Sequence, residues 1–369
     1  MPLNNFSHEA FLNTLDTRFE EFAAEVVREQ SASTLTVLFG TDVHYIRGYD
    51  NYAPVYEKVQ EMVDFSRRIG ADLLALTGDL IDGNAPLDVQ FRDLFDLVSL
   101  VKQADTTSVI LSQGNHDDCS WFAYKEALGA EGVISKREWY NAVVNRIRTS
   151  FPLSVNEAEP DGGYYYVDYP VQKIRAINLN TSDNPLVLEE DGKHLVQKYC
   201  SQWAFGFQEA QLQWLAKALQ LPDEDWSVIF FSHTAPLIEE GMHNRDLFAT
   251  LLRAFRNGES GTLVSEDAMY PATVAYDFTQ NRSHDVLAHL YGHYHCDTVK
   301  VVDGVSCVCT KSLLGFDHGQ EQYFVDVPGV GTVGKDIYNS WDCMLIDKAA
   351  RRLVAKRYGL RQLDRHIDL

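Results

Sequence analysis

The sequence predicts an α/β fold in which parallel central strands deliver polar residues at their C-terminal ends. Three observations carry that expectation. From Thr34 to Ser112, short apolar runs alternate with segments of helical periodicity. Five polar patches, Asp42-Val43-His44, Gly78-Asp79, Gly114-Asn115-His116-Asp117, His233 and Gly292-His293-Tyr294-His295, mostly follow such runs directly. A second group of strand-like segments, at 298–302, 305–310, 343–346 and 352–358, closes the chain.

The elements follow in order. Phe11, Leu12, Leu15, Phe19, Phe22, Ala23, Val26 and Val27 recur at helical spacing, which predicts an amphipathic helix and an N-terminal helical extension over 1–30. Thr34–Gly40 is β-rich, 56–69 is helical, 72–77 is a short buried strand, 89–102 is helical and 108–112 is the next strand. This β-α-β-α-β order implies parallel strands and a sheet covered on both faces. Residues 121–148 are mostly helical and lie outside the motif series, so the region near 119–150 reads as an insertion over the site. Strands at 163–168 and 173–180, a helix at 208–219, a strand at 226–231, a helix at 245–255 and a strand at 287–291 complete the pattern. The main domain is expected over 31–360, with 361–369 as a C-terminal tail. No low-complexity linker divides it.

The 53 acidic residues against 32 basic ones give a formal charge of −21. Such a field repels nucleic-acid backbones, and no Lys/Arg run marks a basic groove. The six cysteines contain no CxxC pair, which predicts reduced core residues. No stretch approaches the ~20 apolar residues of a membrane span, and residues 1–29 have no apolar signal region. The expected setting is cytoplasmic. The oligomeric state is not legible.

The five patches supply oxygen and imidazole donors. Asp42 with His44, and His293 with His295, alternate across one residue, which at a strand end aims both members to one side. Gly78 permits a sharp turn before Asp79, whose two oxygens suit a position between two ions. Asn115 and His116 follow Gly114, and His233 ends a fourth strand. In open α/β sheets ligands bind where strand carboxyl ends meet loops. Each fragment is weak alone, but the ordered set is specific. Oxygen and nitrogen donors without thiolate point to two divalent metal ions among Mn, Fe, Zn and Co, between which the donor set does not choose; Mn or Fe/Mn is the expected pair. The set uses five of the twelve histidines.

Asp-x-His, Gly-Asp, Gly-Asn-His-Asp, His and Gly-His-x-His in this order resemble the calcineurin-like metallophosphoesterase superfamily over residues 35–296. The resemblance implies a four-layer αββα sandwich of two mixed sheets flanked by helices, with the closing strands in the second sheet. It implies that Asp42, His44 and His295 hold one metal, that Asn115, His233 and His293 hold the other, and that Asp79 bridges them. A hydroxide between the ions would be the nucleophile. His116 would assist the leaving group, and Asp117 could orient that imidazole. Purple acid phosphatases of the family carry a tyrosine three residues after Gly-Asp; Asp82 stands there instead, so a purple ferric site is not expected.

The expected activity is hydrolysis of a small phosphate ester, monoester or diester, as a binuclear-metal phosphoesterase or phosphodiesterase. Tyr45, Arg47 and Tyr52 are candidates for the pocket rim, and loop packing is an equal reading of them. Asn84 and the insertion are candidates for covering the opening. Arg245 is a candidate phosphate contact, and Cys296 reads as a buried, inert thiol. Two other classes fit the residues less well. A non-catalytic scaffold of the same fold would have lost ligands, and none is missing here. A DNA nuclease conflicts with the acidic surface.

Overall fold

The computed structural model describes residues 8–47, 53–190, 195–197, 200–314, 340–359 and 364–369. Strands β1 (Thr34–Gly40), β2 (Leu73–Thr77) and β3 (Ser108–Ser112) are buried along their whole length, the signature of strands covered on both faces. They pair in parallel, joined by crossover helices α2 (Ala53–Ile69) and α3 (Leu87–Val101). Three antiparallel strands extend the sheet beyond β1: β15 (Ser340–Asp347), β16 (Arg352–Gly359) and β17 (Arg365–Asp368). The resulting six-stranded order is β17-β16-β15-β1-β2-β3. Residues 365–368, expected in a tail, therefore form an edge strand. The lone apolar residue Ile367, buried opposite Leu353, gave too little pattern to announce it.

The second sheet has seven strands in the order β13-β14-β12-β9-β6-β5-β4. They are β4 (Ser154–Val155), β5 (Tyr165–Tyr169), β6 (Ile174–Asn178), β9 (Ser227–Ser232), β12 (Asp285–Tyr291), β13 (Thr298–Val302) and β14 (Val305–Cys309). β6, β9, β12 and β14 run parallel. Two small hairpins lie outside the sheets, β7 (Leu188–Glu190) with β8 (Leu195–Gln197), and β10 (Ser260–Val264) with β11 (Thr273–Asp277).

The alternation along β9 shows how the layers stack. Ile229 and Phe231 enter the core between the two sheets, with Val37, Phe39 and Ile110. Val228 and Phe230 point the other way, onto Leu212 and Leu215 of α7 (Glu209–Ala218) and Phe248 and Leu251 of α8 (Arg245–Asn257). Polar contacts pin the sheets together: Leu111 N–H donates to the Tyr165 hydroxyl (2.8 Å) and the Ser112 hydroxyl to Asn178 Oδ1 (2.7 Å). The four-layer αββα sandwich of two mixed sheets is thus present. Helix α1 (His8–Glu29) packs on its own fold, with Phe19 and Phe22 against Phe65, Trp341 and Tyr358. The side chains of Phe11, Leu12 and Leu15 lie outside the described ones.

The insertion is helical in short pieces. α4 (Ser120–Lys125), a 3₁₀ turn at 129–132, α5 (Lys136–Trp139), a π-helical turn at 140–144 and α6 (Asn145–Arg148) follow one another. All six cysteines are free; five are buried, but Cys296 is exposed, contrary to expectation, because the loop after β12 has already turned to the surface. Among the described residues no helix is long and apolar enough to cross a membrane.

Candidate metal centre

Each of the five patches begins one or two residues past a strand end: β1, β2 and β3 in one sheet, β9 and β12 in the other. The loops meet where the two sheets' parallel strands finish. Asp42, His44, Asp79, His293 and His295 all adopt left-handed backbone, with φ of 51°, 46°, 47°, 74° and 53°. The alternation expected of an extended strand end is therefore not how these side chains converge; tight left-handed turns bring them together. Such conformations are sparsely populated by non-glycine residues and persist where the surroundings enforce them.

Two glycines make the convergence possible. Gly78 has φ of 91°, and a methyl there would lie 2.5 Å from His233 Nδ1. A methyl on Gly114 would collide with the backbone nitrogen and carboxylate of Asp79. The strings Gly-Asp and Gly-Asn-His-Asp thus encode close approach of backbone to ligand.

Donor atoms of Asp42, His44, Asp79 and His295 all lie within 4.8 Å of one another. His44 Nε2 is 3.3 Å from His295 Nε2, and His295 Nε2 is 3.2 Å from Asp42 Oδ1. On the other side Asn115 Oδ1 lies 2.8 Å from His233 Nε2 and 3.0 Å from His293 Nδ1. Asp79 stands between the groups: its Oδ2 is 3.5 Å from His44 Nε2 and 3.3 Å from His233 Nε2. His293 and His295 separate, one to each group. Hard carboxylate and amide oxygens with imidazole nitrogens, converging without a thiolate, fit a pair of divalent cations.

The supporting bonds fix which atoms face inward. Thr77 C=O meets His233 Nδ1 at 2.9 Å, which leaves Nε2 for the cluster. Asp82 C=O meets His116 Nδ1 at 2.7 Å, and the His116 backbone N–H donates to Asp79 Oδ1 at 2.9 Å. The Thr41 hydroxyl donates to Asp42 Oδ2 (2.8 Å), and Gln202 Oε1 accepts from Asn115 Nδ2 (3.3 Å). Thr41 sits beside a motif in sequence; Gln202 carries no local signal, and only the fold brings it to the site.

Electrostatics follow from burial against charge. Burial pushes the Asp42 carboxyl up, but the His295 and His233 charges outweigh it and hold it at about 2. Burial likewise opposes ionisation of Asp79, yet His233 and His116 hold it well below the usual carboxylate range. His233 answers to the same pair: burial lowers it, Asp79 and Asp42 outweigh that, and it rises to about 10. Burial and the neighbouring His116 charge depress His44 to about 3, and burial with His233 lowers His293.

Asp117 and Arg245 have other partners than expected, and Tyr45 and Arg47 follow their loop-packing reading. Asp117 does not orient His116; its oxygens accept the backbone N–H groups of Gly114 (2.7 Å) and Ile81 (3.0 Å), and Asp82 C=O holds the imidazole instead. Burial and Asp79 raise the Asp117 carboxyl to about 8. Arg245 donates to the carbonyls of Pro236 (2.9 Å) and Leu237 (3.2 Å), closing the loop after His233. Tyr45 is buried, its ring 5.6 Å from Tyr56, and Arg47 pairs with Asp96 on the surface. Tyr52 lies outside the described residues.

A family model described as calcineurin-like phosphoesterase matches residues 35–297. The chain is similar in structure to a dimetal phosphatase from Danio rerio, with 17% identity, coverage of 90% of this chain and 98% of that one, and a TM-score of 0.57. It also matches a purple acid phosphatase from yellow lupin (Lupinus luteus) seeds at 14% identity, covering 92% of this chain and 54% of that one, with a TM-score of 0.43. At these identities the first likeness shows the shared fold. A search of the curated proteins gives no match.

Proposed function

This chain belongs to the calcineurin-like phosphoesterase family, and on that premise we propose that it hydrolyses a small phosphate ester at two divalent metal ions. One observation carries the reading above all: a single oxygen, Asp79 Oδ2, lies 3.5 Å from His44 Nε2 and 3.3 Å from His233 Nε2, where a carboxylate shared by two cations belongs. Asp42, His44 and His295 would hold one ion, Asn115, His233 and His293 the other, with Asp79 common to both; Mn or Fe/Mn is our preferred pair. When bound, the ions would supply an activated water and neutralise charge on the phosphoryl group.

The chain's own residues supply the rest. His116 is only partly buried, and with Nδ1 donating to the Asp82 carbonyl its Nε2 is the atom free to face substrate. A protonated imidazole there gives its proton to the departing alkoxide. Asp117 fixes the Gly114 and Ile81 amides, so it is a positioning residue for the loops that carry Asn115, His116 and Asp79. The five buried free cysteines suit a reducing compartment, which supports a cytoplasmic setting.

The test is hydrolysis of p-nitrophenyl phosphate and bis-p-nitrophenyl phosphate after chelation and Mn²⁺ add-back, beside His116→Ala. The expected result is metal-dependent turnover, with kcat reduced about 10²- to 10⁴-fold in the variant and metal content unchanged. The ratio of the two rates assigns monoester or diester. Two bound metals with full activity in His116→Ala would sink the assigned role. Failure to bind metal would favour a scaffold.

A further inference from the structure

Beside the metal centre stands a cluster of aromatic rings that the reaction chemistry does not use. Trp121 and Tyr124 of α4 lie parallel, 5.7 Å apart with planes 13° from each other. Trp203 stands perpendicular to both, at 5.8 Å and 87° to Trp121 and at 5.3 Å and 85° to Tyr124. The rings form two walls of a corner, yet Tyr124 remains 42% and Trp203 49% exposed. Single exposed aromatics are ordinary; two exposed rings in mutual contact, packed on a half-buried third, Trp121, point to a binding surface.

Its position is set by the site. α4 begins four residues after His116, and a turn in which Cys119 N–H donates to His116 C=O (3.1 Å) leads directly into it. Lys125, next to Tyr124 and 5.5 Å over the Trp121 ring, donates to Asn84 Oδ1 (3.0 Å). Asn84 Nδ2 in turn donates to the same Asp82 carbonyl that holds His116 (3.2 Å). On the other wall Gln202, adjacent to Trp203, accepts from Asn115. The two segments are riveted: Ser201 N–H donates to Ser120 Oγ (3.0 Å), and Ser201 Oγ donates to Asp118 Oδ2 (2.6 Å). The two segments that carry the corner are therefore tied by hydrogen bonds to His116 on one wall and to Asn115 on the other.

We propose that Trp121, Tyr124 and Trp203 bind a planar aromatic ring in the leaving-group half of the substrate, and so set its specificity. This rests on the reading of His116 given above. A ring lies flat on one wall and presents its face to the edge of the other, the arrangements aromatic pairs favour. A ring attached to the ester oxygen itself and one carried on a spacer such as a sugar present the same π-face, and the test tells them apart.

The test uses the full-length, Mn²⁺-loaded protein and non-hydrolysable ligands followed by calorimetry. Phenylphosphonate carries its ring next to phosphorus; the methylenephosphonate analogue of adenosine 5′-monophosphate carries it one sugar away. Each is compared with methylphosphonate. At least one ring-bearing ligand should bind about tenfold or more tightly than methylphosphonate, the scale of one base stacking on an aromatic side chain. Trp203→Ala and Tyr124→Ala should each erase most of that preference and leave methylphosphonate affinity unchanged, while Trp203→Phe retains it. Which ligand shows the preference gives the ring's distance from phosphorus. Absence of any ring preference in the native chain, or a preference untouched by either alanine variant, overturns the proposal. If Trp203→Ala does not fold, Tyr124→Ala carries the comparison. Hydrolysis of p-nitrophenyl phosphate, run in parallel, separates the two readings: turnover without ring preference removes the corner alone, and ring preference without turnover removes the hydrolase alone.

Discussion

His233 and Asp79 show how two residues set each other's state. The imidazole, raised to about 10 by the carboxylates, is protonated at neutral pH when no cation is present. A metal ion must displace that proton, whereas Asp42, held at about 2, and Asp79, held below the usual range, are already ionised and release none. Metal affinity should therefore rise with pH, by about tenfold per unit for one released proton, up to pH about 10. Calorimetric metal titrations in two buffers of different ionisation heat read the proton directly; zero release at pH 7 would show the assignment to be wrong. In the metal-free protein the sign is opposite. A raised histidine stabilises the fold fully below its unfolded value of 6.5, and that contribution is lost as pH rises through about 10. These candidate ligands stood out in the sequence as polar patches after apolar runs, but the reason for their convergence did not. Strand alternation places Asp42 and His44 on one side by a rule they do not follow, since both lie in left-handed turns beyond β1. Backbone conformation of this kind leaves no pattern of its own in the residues.

Between strand ends and ligands lie loops whose shape depends on backbone groups being satisfied. The Asp117 side chain closes one such loop, its two oxygens accepting from Gly114 and Ile81. Asp117→Asn puts an amide N–H against one of these donors, so destabilisation of about 1–3 kcal/mol is expected, with turnover falling through displaced Asn115 and His116. Chemical denaturation together with metal content checks this; unchanged stability would mean the loop tolerates the amide. Gly114→Ala should also act here, because its methyl would meet the Asp79 backbone and carboxylate. Here the expected outcome is loss of the second metal before loss of fold, read by metal analysis of the purified variant. At this scale the buried strands were readable because each is a short apolar run ending at a turn signal. The β10–β11 hairpin was missed because its residues are mostly exposed and show no apolar run. Arg245 was singled out because it follows His233 closely in sequence, yet its guanidinium serves the Pro236 and Leu237 carbonyls.

Across the whole molecule, the two sheets are joined beneath the site by a shared apolar core and, at one edge, by buried charge. Arg357 of β16 donates to both Asp342 oxygens, at 2.7 and 3.0 Å, and to Asp297 at 2.6 Å. Arg365 of β17 donates to the same Asp297 oxygen at 2.8 Å. The Arg357 side chain is 1% exposed and that of Asp342 0%, so deleting either leaves a buried charge short of its bidentate partner. Asp342→Ala should cost about 3–5 kcal/mol, measured by urea unfolding; a change below 1 kcal/mol would show the cluster to be dispensable. Strand and helix alternation announced a parallel sheet covered on both faces, whereas the αββα layering was expected only through the family resemblance of the ordered motifs. The charged edge was invisible, since its members are scattered from Asp297 to Arg365 and become neighbours only in the folded chain.

Asp297 stands two residues beyond His295. The ligand loop after β12 is thus moored to strands that contribute no ligand. A protease nick between β16 and β17 would spare every donor atom and still slacken that mooring, so its first symptom would be leakage of bound metal, with the fragments still held together.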